Sequence, residues 1–462
     1  MHSLAKDLRK FLHPDQVFTS KEDLLAYAND GTFYMKRRIP DAVVLPRETE
    51  DVAKLLRYAD QNEIPVTPRG AGTGLAGGCT PVKGGIVLDM KRMNSIREIN
   101  KDNMTASVEA GVVLANFQKA VEGQSLFYPP DPQSMAACTL GGNVATRAGG
   151  PRGVKYGTTG QYVLGVNFVL PNGEIIKSGG KFVKQSVGYD LPHLMTGSEG
   201  TLGVITDIDL RLLPYPEDNR TLVVVCETLD QAAELVSAII ARGAVPAMME
   251  YVIKLAISVM NSQYAFKKPI PETGEAYLLV YLDGSTAQVE KETSVIREIA
   301  MDLKVPDVIV EEDKNAAAQY WKARKNFFPM VMSIFKRVII EDVTVPRNRI
   351  PAFVSAVQNI AMARGVSIGQ AGHAGDGNLH PTIMQLEISP QTAIQAKEAI
   401  DDLIRAGLEL GGTISGEHGI GIHKQEYLEW ELGASQVDLM RRIKKAFDPR
   451  GIMNPGKIWL EG

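Results

Sequence analysis

This sequence is poor in cysteine, in long apolar runs and in surplus charge of either sign. Its 462 residues include three cysteines, Cys79, Cys138 and Cys226. That number and spacing give neither a disulfide framework nor a CxxC pair, and cannot ligate a four-cysteine iron–sulfur cluster. Redox chemistry here would therefore need a different redox group, and a reducing cytoplasm is the expected location. No segment has the length and apolarity of a transmembrane helix. The N-terminal stretch MHSLAKDLRKFLHPDQ mixes charges among its apolar residues, which reads as an amphipathic helix rather than a secretory leader. Lys and Arg number 50 against 54 Asp and Glu, a formal net charge of −4, so nucleic acid is not an expected partner. Histidine is also scarce: of seven, four (His373, His380, His418 and His423) fall in one late stretch.

A chain of this length is expected to form two or three domains. In residues 49–63, Val52, Leu55, Leu56 and Ala59 share one face, which predicts an amphipathic helix. Strands are expected at 64–67, 85–90, 106–110, 163–170 and 204–213, and a helix over 113–122. Pro214-Tyr-Pro216 marks a boundary. Beyond it come a strand (222–226), a helix (229–242), a strand (276–283) and a further helix, a pattern that suggests an antiparallel sheet covered on one face by helices. The expected division is 1–215, 216–445, and a turn-rich segment 446–462 crossing back to the first domain.

Residues 66–78 read Val66-Thr-Pro-Arg69-Gly-Ala-Gly-Thr-Gly-Leu-Ala-Gly-Gly78. Gly72, Gly74 and Gly77 satisfy G-x-G-x-x-G by letter. The dinucleotide fingerprint works only where the loop opens a helix, however, and here the sequence leads into another strand. The same chemistry has another use. Successive glycines let main-chain N–H groups converge on an anion without Cβ atoms in the way, and Thr73 can add a hydroxyl. A plain connector is the alternative, although so many glycines carry a conformational entropy that a connector need not incur. A second run, Tyr128 to Gly150, sets rigid prolines before small residues and amides suited to a flat polar ligand. Two such loops imply a large ligand with both phosphate and a ring system.

The late histidines stand in two glycine-rich motifs, His373-Ala-Gly-Asp-Gly-Asn-Leu-His380 and Ser415-Gly-Glu417-His418-Gly419. Imidazoles and a carboxylate presented by glycine turns are what a divalent metal or a proton-transfer site needs. Scattered loop histidines meeting local hydrogen bonds are the alternative, and the clustering argues against it.

Taken in order, seven motifs carry a resemblance that covers nearly the whole chain. They are Pro68–Gly78, Pro130-Asp-Pro132 with Cys138–Asn143, Gly188–Leu191, Gly197–Thr206, His373–His380, Gly416–Gly419 and Asn454–Lys457. Together they resemble the flavoprotein family of vanillyl-alcohol oxidase fold, and more narrowly its D-2-hydroxyacid dehydrogenase branch. That branch includes D-lactate dehydrogenase, the flavin subunit of glycolate oxidase and D-2-hydroxyglutarate dehydrogenase. The resemblance implies an α+β fold. A two-part FAD-binding domain would occupy 1–215, and an α+β cap domain with an antiparallel sheet and the metal site would occupy 216–445. FAD would be bound without a Rossmann motif, its pyrophosphate on Arg69, Gly70, Ala71, Gly72, Thr73, Gly74, Leu75, Gly77 and Gly78. Pro132, Ser134, Cys138, Thr139, Gly141, Gly142, Asn143, Ala145, Thr146 and Gly149 would line the flavin and adenosine, with Glu199, Gly200, Val204 and Ile205. Asn454 would approach the isoalloxazine. Some relatives link FAD through a histidine in the first loop; this chain has Thr73 there and no histidine between His13 and His193, so non-covalent FAD is expected.

By the same resemblance, His373, His380 and Glu417 bind one divalent metal (Zn, Fe, Mn or Co), leaving positions for a substrate hydroxyl and carboxylate. The metal would act as a Lewis acid on the hydroxyl. His418 would take the hydroxyl proton, and the Cα hydride would pass to flavin N5. Arg324 would meet the substrate carboxylate, a task that favours Arg over Lys; the alternative is a solvated face of a basic helix. The hydroxyglutarate enzymes place a threonine and an asparagine where this chain has Phe328 and Thr382. D-lactate is therefore preferred, glycolate comes next, and D-2-hydroxyglutarate is disfavoured. Asp376 and Asn378 are expected to shape the turn and orient ligands. Electrons would leave to a partner, an electron-transfer flavoprotein being favoured over a quinone or an iron–sulfur subunit. A metal-dependent hydrolase is the rival from another class.

Overall fold

The computed structural model describes residues 2–32, 38–264 and 266–460. The chain forms two units, one comprising residues 1–148, 158–215 and 417–462, the other residues 149–157 and 216–416.

In the first unit the helix expected over 49–63 runs Thr49–Gln61, and Val52, Leu55, Leu56 and Ala59 are all fully buried. They pack with Val44, Val66, Ile86 and Leu88, and each such side chain contributes about 1.5–3 kcal/mol by leaving water. Strands Ala42–Val44, Ile86–Asp89 and Val66–Arg69 lie side by side in parallel, with Val17–Phe18 antiparallel at the edge. Parallel neighbours need a crossover, usually a helix. Between Arg69 and Ile86 that crossover contains no helix and is the glycine loop itself. The dinucleotide-helix reading is thus excluded structurally as well as by sequence context.

A second sheet, all antiparallel, orders Ile96–Asn100, Thr105–Glu109, Val204–Arg211, Val163–Val169 and Ile175–Gly179. The second glycine run is not loop throughout. Thr139 caps a short helix, Leu140–Thr146, its Oγ1 accepting from Gly142 N at 3.3 Å. The N-terminal helix is shorter than its amphipathic stretch: it covers His2–Leu8, and Leu8 and Leu12 seal the core.

The second unit is built on a sheet ordered Asp307–Glu311, Asp218–Cys226, Ala276–Gly284, Met248–Ile253, Ala371–His373, Asn378–Leu379 and Val343–Thr344. Its long central strands, Asp218–Cys226 and Ala276–Gly284, pair residue for residue. Helices Leu229–Ala241 and Thr286–Asp302 carry the buried apolar faces that the sequence alternation implied. A smaller sheet orders Arg337–Ile340, Thr382–Gln385 and Ser367–Gly369.

Two boundaries differ from the sequence expectation. The return to the first unit begins at Glu417, not at 446, because the Glu199 carboxylate accepts from Ile420 N and Gly421 N, and Ala76 O accepts from Ile422 N. Residues 149–157, expected in the first domain, join the second unit. Lys155 Nζ and Tyr156 OH reach Asp283 Oδ1 at 2.7 and 2.8 Å. Among the described residues, no helix is long and apolar enough to cross a membrane.

Candidate functional site

The glycine loop is held open by its own backbone. Arg69 ends its strand 9% exposed and donates from Nη1 to Asn29 O at 2.9 Å. Gly72 has φ +72, a conformation that strains any L residue, and a Cβ there would lie 2.1 Å from Arg69 Nη2, so another residue would also have to displace the guanidinium. At Gly74 and Gly78 a Cβ would meet only a carboxylate oxygen, of Asp30 and Glu199 respectively, each at 3.9 Å. That side of the loop has the clearance a ligand backbone needs.

Asn454 and Glu199 organise the loop's far end. Both are non-glycine residues at positive φ, +41 and +51. Such conformations cost about 1–3 kcal/mol and persist where surrounding bonds fix them. Here the bonds are visible. Asn454 Nδ2 donates to Gly78 O at 2.8 Å and to Glu199 O at 2.7 Å, while its N donates to Val66 O at 2.8 Å. Glu199 N donates to Ala145 O at 2.8 Å, and its two carboxylate oxygens accept from Ile420 N (2.8 Å) and Gly421 N (2.7 Å). Burial pushes the Glu199 carboxyl above its ordinary range, against the pull of those N–H groups and of Lys457.

The loop 69–78, Ala145, Glu199 and Asn454 are thus brought together, as expected. Thr139 joins them: a Cβ on Gly70 would lie 2.4 Å from its Oγ1. Cys138, Gly141 and Asn143 are buried beside it, and burial raises the Cys138 thiol pKa. Pro132 and Ser134 shape the preceding turn through Met135 N to Pro132 O and Cys138 N to Ser134 O. Gly149 belongs to the second unit, and the Val204 side chain packs into the Leu55–Leu56 core, so Val204 can offer a ligand only its backbone. The Asn454 Oδ1 is buried and has no hydrogen-bond partner. A buried acceptor with no donor is costly, and the N–H or O–H of a bound flavin ribityl or ring would satisfy it. The residues present therefore fit FAD.

In the second unit the first histidine motif is a tight hairpin. Ala371–His373 pairs antiparallel with Asn378–Leu379, His373 opposite Asn378, across a turn in which Gly377 has φ +82. The turn brings the His373 and His380 rings to 5.1 Å between centroids, at 83°. On its other side His373 pairs in register with Glu250 of Met248–Ile253, and their side chains meet, Nδ1 to Oε1 at 2.5 Å. Glu250 Oε2 forms an ion pair with Arg324 Nη2 at 2.6 Å. Burial alone would raise the Glu250 carboxyl; His373 and Arg324 more than offset it and hold the carboxyl below its ordinary range. His380 Nδ1 lies 3.3 Å from Glu341 O, an oxygen that only accepts, so this contact is a hydrogen bond when Nδ1 carries the proton. In each ring Nε2 then carries the lone pair a metal requires.

Arg324 lies on the helix Lys314–Ile334 and is 8% exposed, so it is not on a solvated face. Its Nε is buried without a hydrogen-bond partner. Asn378 orients through Nδ2, which donates to Asp342 Oδ1 at 2.6 Å and to Thr344 Oγ1 at 3.0 Å. Ser415 Oγ donates to the other Asp342 oxygen at 2.8 Å, so one buried aspartate ties both histidine motifs. Gly416 packs against Asn378 so closely that a Cβ would fall 2.3 Å from its Nδ2, and Glu417 and His418 follow directly in the chain. Asp376 accepts from Asn378 N at 3.2 Å, as a turn former. Thr382 Oγ1 donates to His380 O at 3.0 Å, while the Phe328 side chain lies outside the described residues.

Sequence reasoning missed Glu250 and Asp342. A signal existed: Glu250 stands inside an apolar strand, Met-Met-Glu250-Tyr-Val, and Asp342 belongs to an acidic pair set between apolar residues, Val-Ile-Ile-Glu-Asp342-Val, where a charge is costly without a partner.

Residues 40–179 match the FAD binding domain family, and residues 215–458 match the family of the C-terminal domain of FAD linked oxidases. The chain is 40% identical over 462 residues to the glycolate oxidase subunit GlcD of Bacillus subtilis (strain 168), covering 99% of this chain and 98% of that protein. It is 35% identical to a D-lactate dehydrogenase of Anaerostipes hadrus, covering 97% and 96%. A solved structure of 4-ethylphenol oxidase from Gulosibacter chungangensis shares the fold with a TM-score of 0.81 at 20% identity, over 100% of this chain and 97% of that one. With both halves matched and these relatives aligned along nearly their full lengths, the chain belongs to the FAD-linked oxidases, in the D-2-hydroxyacid dehydrogenase branch of the vanillyl-alcohol oxidase flavoproteins.

Proposed function

We propose that this protein oxidises a small D-2-hydroxy acid, D-lactate to pyruvate before others, and passes the electrons to a partner protein. The observation that carries the reading is Arg324. A nearly buried guanidinium with an unsatisfied Nε, ion-paired beside His373, calls for a small anionic ligand presented to the imidazoles. A 2-hydroxy acid has the matching chemistry, a carboxylate for the arginine and a hydroxyl next to it.

The glycine loop with Thr139, Ala145, Glu199 and Asn454 would hold FAD, which would supply the acceptor for the substrate's Cα hydride. His373, His380 and Glu417 would hold one divalent ion (Zn, Fe, Mn or Co), which would supply Lewis-acid charge to the substrate hydroxyl. The residues do the remainder. Arg324 orients the carboxylate and so fixes which face of the substrate carbon is presented. His418 takes the hydroxyl proton on its imidazole, the one side chain type whose ordinary pKa suits exchange near neutrality.

Glycolate is the second reading, favoured by the 40% identity to a glycolate oxidase subunit. Phe328, in place of a polar grip on a distal carboxylate, disfavours D-2-hydroxyglutarate. Among the described residues no helix is long and apolar enough to cross a membrane, and an electron-transfer flavoprotein is favoured over a quinone or an iron–sulfur subunit as the acceptor, in the cytoplasm. The test is to mix the FAD- and metal-loaded protein anaerobically with D-lactate, L-lactate, glycolate and D-2-hydroxyglutarate. Flavin bleaching should be fastest with D-lactate and next with glycolate. If none bleaches the flavin, the dehydrogenase reading fails, and hydrolytic activity in flavin-free protein would establish the rival.

A further inference from the structure

We propose that Glu250 is the positioning residue that sets His373 and Arg324 as one unit, so that metal binding and carboxylate binding depend on a single carboxylate. The inference rests on the functional reading above. Glu250 is fully buried, at 0% exposure, and each of its oxygens faces a different group: Oε1 is hydrogen-bonded to His373 Nδ1 at 2.5 Å, and Oε2 is ion-paired, without a hydrogen bond, to Arg324 Nη2 at 2.6 Å. Backbone register enforces the first contact. Glu250 and His373 are cross-strand partners on adjacent antiparallel strands, so their side chains leave the same face of the sheet side by side.

Each contact has a chemical consequence. Accepting from Nδ1–H keeps the proton there and leaves the lone pair on Nε2, and raises the ring's basicity as a ligand. Pairing with Nη2 plants one edge of the guanidinium and leaves Nε, buried without a partner, to an incoming anion. A carboxylate whose purpose was only to bury a charge pair would need one of these partners, not both. Replacing the pair by apolar residues would then be close to neutral for stability, since buried ion pairs seldom add net stability.

Glu250→Gln keeps the volume but carries only one accepting oxygen, so either the imidazole or the guanidinium must face an N–H₂ group. Zn²⁺ affinity of the FAD-loaded variant, measured by competition with a chromogenic chelator, should fall about 10- to 100-fold. With Zn²⁺ saturating, kcat for D-lactate should recover toward wild type while KM stays raised, because the arginine is still misplaced. Glu250→Asp retains the charge but withdraws both oxygens, and should show the same pattern with the melting temperature closer to wild type. Wild-type Zn²⁺ affinity in both variants would overturn the proposal. So would losses of folded structure in both that track the loss of metal, since that assigns Glu250 to stability alone. A wild-type protein that binds no Zn²⁺ and is bleached by no hydroxy acid would instead overturn the functional reading.

Discussion

Glu199 shows how much one carboxylate can do in the first unit. It sits at positive φ, receives two main-chain N–H groups from 420–421, and is buried enough that its carboxyl is pushed above the ordinary range. The sign of the linkage follows. A carboxyl raised on folding contributes stability that is fully present below its unfolded pKa and is lost as pH rises through the folded value. The melting temperature of Glu199→Gln relative to wild type should therefore shift in the variant's favour as pH rises above the ordinary glutamate range. A difference that stays flat as pH rises would contradict the raised pKa. At this scale the sequence was legible only where a residue stands in a motif. Glu199 and Asn454 could be named from theirs, but Glu250 and Asp342 could not, because their roles come from cross-strand register and a turn that bring distant segments together.

Elements were more legible than their contacts. The periodicity of 49–63 placed a helix that is observed as Thr49–Gln61, and the alternation at 204–213 placed the strand Val204–Arg211. The short helix Leu140–Thr146 was hidden because two glycines at its start look like loop; its cap, Thr139, is the signal that outweighs them. The hairpin between His373 and His380 depends on one backbone position. At Gly377, φ is +82 and a Cβ would stand 2.1 Å from Val345 O. Gly377→Ala should cost about 1–3 kcal/mol from strain alone, and more if the turn opens. Thermal melting together with Zn²⁺ binding checks this: both should fall, and a variant with unchanged metal affinity would show that the turn does not set the histidine spacing.

At the scale of the molecule, the first glycine loop contains Thr73 and no histidine, and every flavin contact argued above is non-covalent. Acid precipitation should accordingly leave the yellow colour in the supernatant; a coloured pellet would require a covalent attachment that these residues do not supply. The family and both broad regions were legible from the sequence, but the exact division was not. The reason is physical: the segments 149–157 and 417–445 change sides through tertiary bonds, Lys155 to Asp283 and Ile420 to Glu199, that leave no local pattern.

That division means the chain passes between its units at 148/149, 157/158, 215/216 and 416/417. The first-sheet core is closed by Ile452 and Met453, which pair with Val66. A ribosome synthesising this protein from the N-terminus must therefore make the whole of the second unit before the first can be completed. The early glycine loop waits, without its Asn454 brace, until that residue has been synthesised. Whereas most multidomain chains fold from the front as they emerge, the flavin-binding unit of this one can mature only after the second unit and the returning segment with Asn454 have been made.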